Sequence, residues 1–237
     1  LAADDLPGPV VTFLNVIGVP WPYLNEDEVR RFAGMVRQFG QSVERTHQES
    51  STAMANFAQA YQGAATRQMQ SGWTQLSERH TQELVEGCRL LAEALDLAAD
   101  YIIAQKVEAV AELIAMAATF VADQAAAVAT LGLAEAAVPL IIATGKKLLE
   151  TLKQQIIQHI MGEVIEAAAK PLFAKIETAM SGLDWSQTSP AGASDLGDGF
   201  TIDHGTAGAH LQVLSGHADT LRDHATVLRQ GMAGLAF

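Results

Sequence analysis

Two long apolar stripes at helical spacing, interrupted once, constrain this fold more than any other feature of the sequence. Val29, Phe32, Val36, Phe39 and Val43 recur at intervals of three and four residues, which is the seam of a helix packed along another helix. Continued, the same spacing meets Thr46, Ser50, Ala53 and Phe57, so the seam is small and polar in its middle. A second stripe follows through Met69, Trp73, Leu76, His80, Leu84, Gly87 and Cys88, Leu91, Leu95, Ala98 and Ile102. Between the two stands Tyr61-Gln62-Gly63. Gly is favoured where a helix ends through left-handed backbone angles, and a short break between long amphipathic helices folds one back on the other. The chain therefore reads as all-α, built on a long antiparallel hairpin over residues 26–104, with Tyr61, Gly63 and Trp73 at its closed end. The first helix would be roughly 50 Å long, too long to persist without a partner face. Folding at 62–63 sets Thr46 opposite Arg79, so Thr46 and Ser50 are expected to face His80 in a polar layer that fixes register.

The first helix has a defined start. Asn25 is a good N-cap, and Glu28 stands where a capping box needs its acid. Glu26, Asp27 and Glu28 also suit the positive end of the helix dipole. Residues 1–25 read as an irregular lead-in punctuated by Pro7, Pro9, Pro20 and Pro22. Pro20-Trp21-Pro22 cannot continue a helix, and Trp21 is expected to anchor this lead-in on the bundle.

Beyond the hairpin, residues 105–180 read as an apolar helical region packing on it. Between Ala109 and Thr144 only Glu112, Asp123 and Glu135 carry charge, and Gly132, Pro139 and Gly145 are expected to divide the stretch. Leu148, Leu149, Leu152 and Ile156 then mark a further stripe. Residues 181–201, rich in Gly, Ser, Asp and Pro without period, read as a linker. Residues 202–237 form a last amphipathic helix in which Leu211, Leu214, Ala218, Leu221, Ala225, Leu228, Met232 and Leu235 keep 3-4 spacing. That row must be covered by the chain's own hairpin, a second copy or a partner, because soluble monomers rarely expose a continuous apolar stripe. Leu211, Leu214, Leu221 and Leu228 are its expected contact positions.

Composition narrows function. Fifteen Lys and Arg against 27 Asp and Glu give a net charge of −12. The basic residues cluster no further than Arg30-Arg31 and Lys146-Lys147, which sets aside nucleic acid, whose phosphates need a basic stripe. The single cysteine, Cys88, permits no intrachain disulfide and reads as a buried structural thiol. No basic segment precedes the apolar run from Val10 to Val19, so it is not read as a signal peptide. His210, His217 and His224 stand two turns apart, about 10 Å, too far to share one metal; they read as flanking polar positions. His159, Glu163 and Glu166 share a helix face but make half a metal site at most. No nucleophile elbow, P-loop, HExxH or dinucleotide fingerprint occurs, and no acid, base and nucleophile converge. The chain reads as non-enzymatic, with no cofactor and no metal.

Tyr61-Gln62-Gly63 stands where the WXG superfamily, substrates of type VII secretion, carries Trp-x-Gly between two long helices. The preceding GVPWPYLNEDEVRRFAGMV is similar to the opening of the larger WXG-like domain at the N-terminus of CpnT-like channel and toxin proteins and related actinobacterial polymorphic toxins. The resemblance covers roughly residues 13–180. It implies a chain of an actinobacterium, secreted or at the cell surface through type VII secretion. It implies a targeting and docking part that binds small helical WXG-type partners or the secretion machinery, with a toxin domain following Phe237. Trp21 and Pro22 match the lead-in motif, and Tyr61, Gly63 and Trp73 the turn; their implied roles are structural and recognitional. The family's export pattern, Tyr-x-x-x-Asp/Glu, is not met after the second helix, where Gln105 follows Tyr101; Tyr23 and Asp27 have that spacing before the first helix. The alternative implied by the same resemblance is a membrane-inserting pore module. Its basis is residues 109–145, where QAAAVATLGLAEAAVPLIIATG has the ~20 residues a span requires but carries Glu135 and Pro139.

Overall fold

The computed structural model describes residues 5–22, 24–60, 64–74, 77, 79–129, 138–164, 166, 170–171, 174 and 204–236. Their regular structure is entirely helical. It comprises α1 (Gly8–Ile17), α2 (Glu26–Ala60), α3 (Ala64–Trp73), α4 (Arg79–Ala129), α5 (Val138–His159), which ends in a π turn over Ile160–Val164, and α6 (His204–Ala233). The all-α expectation holds. Tyr61 and Gly63 of the turn, Gly132 and the 181–201 linker lie outside the described residues. The chain divides into two compact units, Leu1–Arg31 with Ala94–Ala167 and Ala236–Phe237, and Phe32–Glu93 with Ala168–Leu235. Both α2 and α4 run from one unit into the other.

Three expectations are corrected. The lead-in is not wholly irregular, because α1 forms within it. Pro9 lies in the first turn of α1, where its missing N–H costs no helical hydrogen bond. Val10, Phe13, Leu14 and Ile17 give the helix one buried stripe. Gly18 closes it at φ 67°, its N–H donating to the Leu14 carbonyl at 3.0 Å. Second, no helix ends near residue 104: α4 continues for 51 residues, because no Gly or Pro interrupts the chain from Cys88 to Ala129. Third, Gly145 does not break a helix. It is buried within α5, where a Cβ would stand 3.1 Å from Phe13 Cε1 and 3.4 Å from Ile17 Cδ1. The missing side chain lets the Phe13 ring lie on the α5 backbone.

In the first unit, α1 packs on α5 at that point, and Phe13 also meets Phe120 of α4, ring centroids 5.7 Å apart. Gly145, Leu149, Leu152 and Ile156 form the buried row of α5. The start of α2 runs antiparallel to α4. Arg30 pairs with Asp100 at 2.6 Å, while Glu26, one turn earlier, pairs with Lys106, further along α4. Asn25 caps α2 as expected, its Oδ1 accepting from the N–H of Asp27 at 3.1 Å and of Glu28 at 3.4 Å. The Glu28 carboxylate meets Arg31 at 3.4 Å.

In the second unit, α2 again runs antiparallel to the chain that follows. Gly40 meets Cys88, and Ser51 meets Trp73. Val36, Val43, Thr46 and Ser50 of the expected seam are buried, but Phe32, Phe39, Ala53 and Phe57 are only half-buried, and Ala33, Gly40 and Met54 take the inside. The small residues explain the rotation. A Cβ on Gly40 would stand 3.0 Å from the Cys88 Cβ, so the helices approach most closely where α2 has no side chain.

Candidate functional site

The buried polar groups reveal which surfaces are already used. Thr46 and Ser50 are 4% and 3% exposed. Ser50 Oγ donates to the Thr46 carbonyl at 2.7 Å, the usual local satisfaction of a hydroxyl inside a helix, and Thr46 Oγ1 stands 3.1 Å from His224 Nε2. The polar layer thus exists, but its partner is His224 of α6 rather than His80. His217 lies 3.9 Å from Glu49, and Met35 Sδ sits against the backbone of Gly231. Residue numbers rise on α2 as they fall on α6, so α6 lies antiparallel along α2.

These contacts correct the reading of His217 and His224 as flanking positions; the side chain of His210 is outside the described residues. The half-buried face of α6 runs through Leu214, His217, His224, Leu228, Gly231 and Leu235, while Ala218 and Met232 of the expected seam are exposed. Leu221, at 37% exposure, lies at the edge of that face. The side chain of Leu211 is outside the described residues. The leucine column recurring every seven residues is common to both faces; beside it His217, His224 and Gly231 turn inward, and of the expected second column Ala225 stays half-buried.

Of the remaining motif residues, Trp21, Pro22 and Trp73 are described. Trp21 is buried and Pro22 half-buried between α1 and α2. Trp73 ends α3, where its Nε1 donates to Ser51 Oγ at 3.3 Å and its ring stacks on His47 at 6.3 Å. His159 stacks on Tyr101 at 3.6 Å. Among the described residues no three His, Cys, Asp or Glu side chains converge as metal ligands. Burial pushes the Cys88 thiol above its ordinary value, opposite to what a reactive thiol needs.

Sequence reasoning passed over Lys106. Its ammonium lies 2.6 Å from Glu26 Oε2, and the two side chains are 2% and 4% exposed. It also donates to the Leu24 carbonyl. Burial pulls its pKa below the ordinary value, and the neighbouring Asp27 carboxylate partly opposes this. The signal was present in the sequence. The apolar row through Ala98 and Ile102, extended by one turn, lands on this lysine before reaching Ala109 and Leu113. A lone cation on an apolar row must find an anion where it is buried.

α4 bears a second row. Ala104, Val107, Ala111, Ile114, Ala118, Val121 and Ala125 keep strict 3-4 spacing, and every one is exposed. Val107, Ile114 and Val121 are 53%, 45% and 62% exposed. The opposite side of the same helix, through Ala98, Ile102, Lys106, Ala109, Leu113 and Ala117, is buried. One helix therefore carries a core row and an open row.

A family model described as WXG100 like domain matches residues 3–146. The match takes in the Pro-Trp-Pro lead-in, the Tyr61-Gln62-Gly63 segment, α1 to α4 and the start of α5; α6 lies beyond it. No curated protein and no solved structure is significantly similar to the chain. The match covers more than half of the sequence, and the chain belongs to the WXG100-like domain family, helical proteins related to type VII secretion.

Proposed function

We propose that the chain is the non-catalytic targeting and partner-docking module of a type VII secreted effector. It binds small helical WXG-type proteins for export, as the N-terminal part of a CpnT-like channel or toxin protein of an actinobacterium. The family match carries this reading, because it spans the lead-in motif, the turn and the long helices together. On this reading Trp21, Pro22, Tyr61, Gly63 and Trp73 hold the hairpin in the shape a partner recognises. Of the α6 row of Leu211, Leu214, Leu221 and Leu228, Leu214 and Leu228 lie on the half-buried face that meets α2 and reach a partner by exchanging α2 for it. Co-expression with a small WXG-type helical protein tests the reading. A complex that co-purifies through size-exclusion chromatography is expected. A chain that elutes alone at every partner concentration overturns it.

One observation favours a membrane-inserting reading. The helix segment His80–Ala126 is long and apolar enough to cross a bilayer by length and composition, and little of its most apolar stretch is buried. Dye release from liposomes separates the two. Docking alone gives no leakage, whereas a pore gives leakage that rises with protein concentration.

A further inference from the structure

The row from Ala104 to Ala125 on α4 is the longest regular apolar surface that the described residues leave open, and its details select what can cover it. It spans about six helical turns, or roughly 32 Å. One column is Ala at 104, 111, 118 and 125, and the other is β-branched at Val107, Ile114 and Val121. Alternation of a small column with a ridge is the relief into which a second helix packs at short interaxial distance. Singly scattered apolar residues on a surface need no explanation, but a contiguous row of this length marks a contact. The row is bounded: one step before Ala104 the spacing meets Asp100, which is held at the surface by Arg30.

Charge chooses among occupants. Glu108 and Glu112 are exposed along one flank, while Ile103 and Val110, half-buried, line the other. From Ala94 to Ala129 the only cation is Lys106, and it is buried against Glu26. Two copies joined through this stretch of α4 would therefore bring acidic flanks together with no exposed cation on the stretch from either copy, an arrangement that disfavours association. An anionic lipid surface meets the same repulsion, and the alanine column gives bilayer insertion little apolar area.

Resting on the partner-docking reading, we propose that the Ala104–Ala125 row of α4 is the docking face, and that its occupant is an amphipathic helix with a small-residue seam and lysine or arginine on the flank that meets Glu108 and Glu112. The α6 face through His217, His224 and Gly231 is engaged with α2 of the same chain, whereas this row is not covered by any described residue.

The test uses the full chain and two synthetic four-heptad peptides of identical Ala/Ile seam, one flanked by Lys and one by Glu, with binding followed by fluorescence anisotropy. The Lys-flanked peptide is expected to bind at least about tenfold more tightly, with the preference fading at high salt. Ile114→Glu with Val121→Glu should abolish binding, and Glu108→Lys with Glu112→Lys should reverse the preference. Circular dichroism checks that each variant stays helical. Ala111→Gln with Ala118→Gln blocks the row by bulk alone; it should abolish binding too, and it replaces the charged pair if that pair fails to fold. Equal binding of both peptides, or binding untouched by these variants, overturns the proposal. So does self-association, or flotation with phosphatidylcholine vesicles, that the Ile114 and Val121 substitutions remove, since either names a different occupant. The small WXG-type protein used above separates the two levels. If it still co-purifies with the row variants, the docking reading stands and this face is wrong; if it never binds wild type, the docking reading itself fails.

Discussion

Lys106→Met should be among the most destabilising single substitutions in the chain. Methionine retains most of the lysine stem, so the cavity left behind is small, and the cost is mainly electrostatic. The Glu26 carboxylate, 4% exposed, loses the ammonium 2.6 Å away, and the Leu24 carbonyl loses its donor. Breaking a buried ion pair from one side costs about 3–5 kcal/mol. Glu26 opens α2, where the helix dipole favours an anion by up to ~2 kcal/mol, so the lower end of that range, about 3 kcal/mol, is expected. For a chain of this size each kcal/mol moves Tm by roughly 2–4 °C, which gives a fall of about 10 °C. Urea unfolding of the wild type, K106M, E26Q and the double variant completes a thermodynamic cycle. Because the double variant carries no buried net charge, it should recover at least about 1 kcal/mol relative to the sum of the single losses. A K106M loss below about 1 kcal/mol with additive single effects would refute the reasoning, since it is what a hydrated surface pair gives.

Four further outcomes follow from the packing. Gly145→Val should cost about 1–3 kcal/mol by driving a side chain into Phe13 and Ile17, while Gly145→Ala comes closer to neutral because alanine returns up to ~1 kcal/mol of helix propensity; paired thermal melts decide. Burial shields the Cys88 thiol and raises its pKa, so at pH 8 the native thiol should react with a disulfide reagent more slowly than the urea-unfolded chain, and equal rates would show that the site is open. His224→Ala should cost about 1 kcal/mol by orphaning the buried Thr46 hydroxyl, and Thr46→Val in the same background should add less than it does alone. Leu113→Glu should unfold or severely destabilise the chain, because it buries an unpaired carboxylate, whereas Ile114→Glu, one residue away, should stay within about 0.5 kcal/mol of wild type; similar losses at both positions would mean that the two sides of α4 are not as different as their exposures indicate.

Features held within one helix were legible in the sequence, and those set by a distant neighbour were not. Asn25 and the acids after it announce the start of α2 because a cap acts over three residues. The proline-rich lead-in concealed α1, since prolines that break a helix interior are tolerated in its first turn; Val10, Phe13, Leu14 and Ile17 carried the missing signal. Gly145 read as a breaker because sequence alone does not reveal that Phe13 lies over it. The rotation of the α6 face has the same origin. Spacing of three and four locates an apolar row, but His217 and His224 sit beside it, and their partners on α2, Glu49 and the Thr46 hydroxyl 178 residues from His224, are far away in sequence. Lys106 differs from these cases: its place on the extended apolar row was readable, and so was the need for a buried anion.

The charge-poor stretch of α4 shows why apolar periodicity alone leaves function open. In a helix so rich in alanine, residues that can face a core occur on more than one side, and the sequence reads as a core helix first with a membrane span as the alternative. The structure separates rows that the sequence superimposes. Ala98, Ile102, Ala109, Leu113 and Ala117 are spent on the chain's own interior, and Lys106 within that row is neutralised by Glu26. The described residues leave Ala104 to Ala125 open. A soluble chain that used α4 only as core could place polar residues along this outer row at no cost to its own packing; instead the row holds seven apolar residues at unbroken 3-4 spacing, with its two glutamates set to one side. A helix that meets its own core on one side and keeps a helix-shaped relief on the other is suited to hold two neighbours at once. In a WXG100-like domain, that second position is where the physical chemistry of this chain directs the search for a partner.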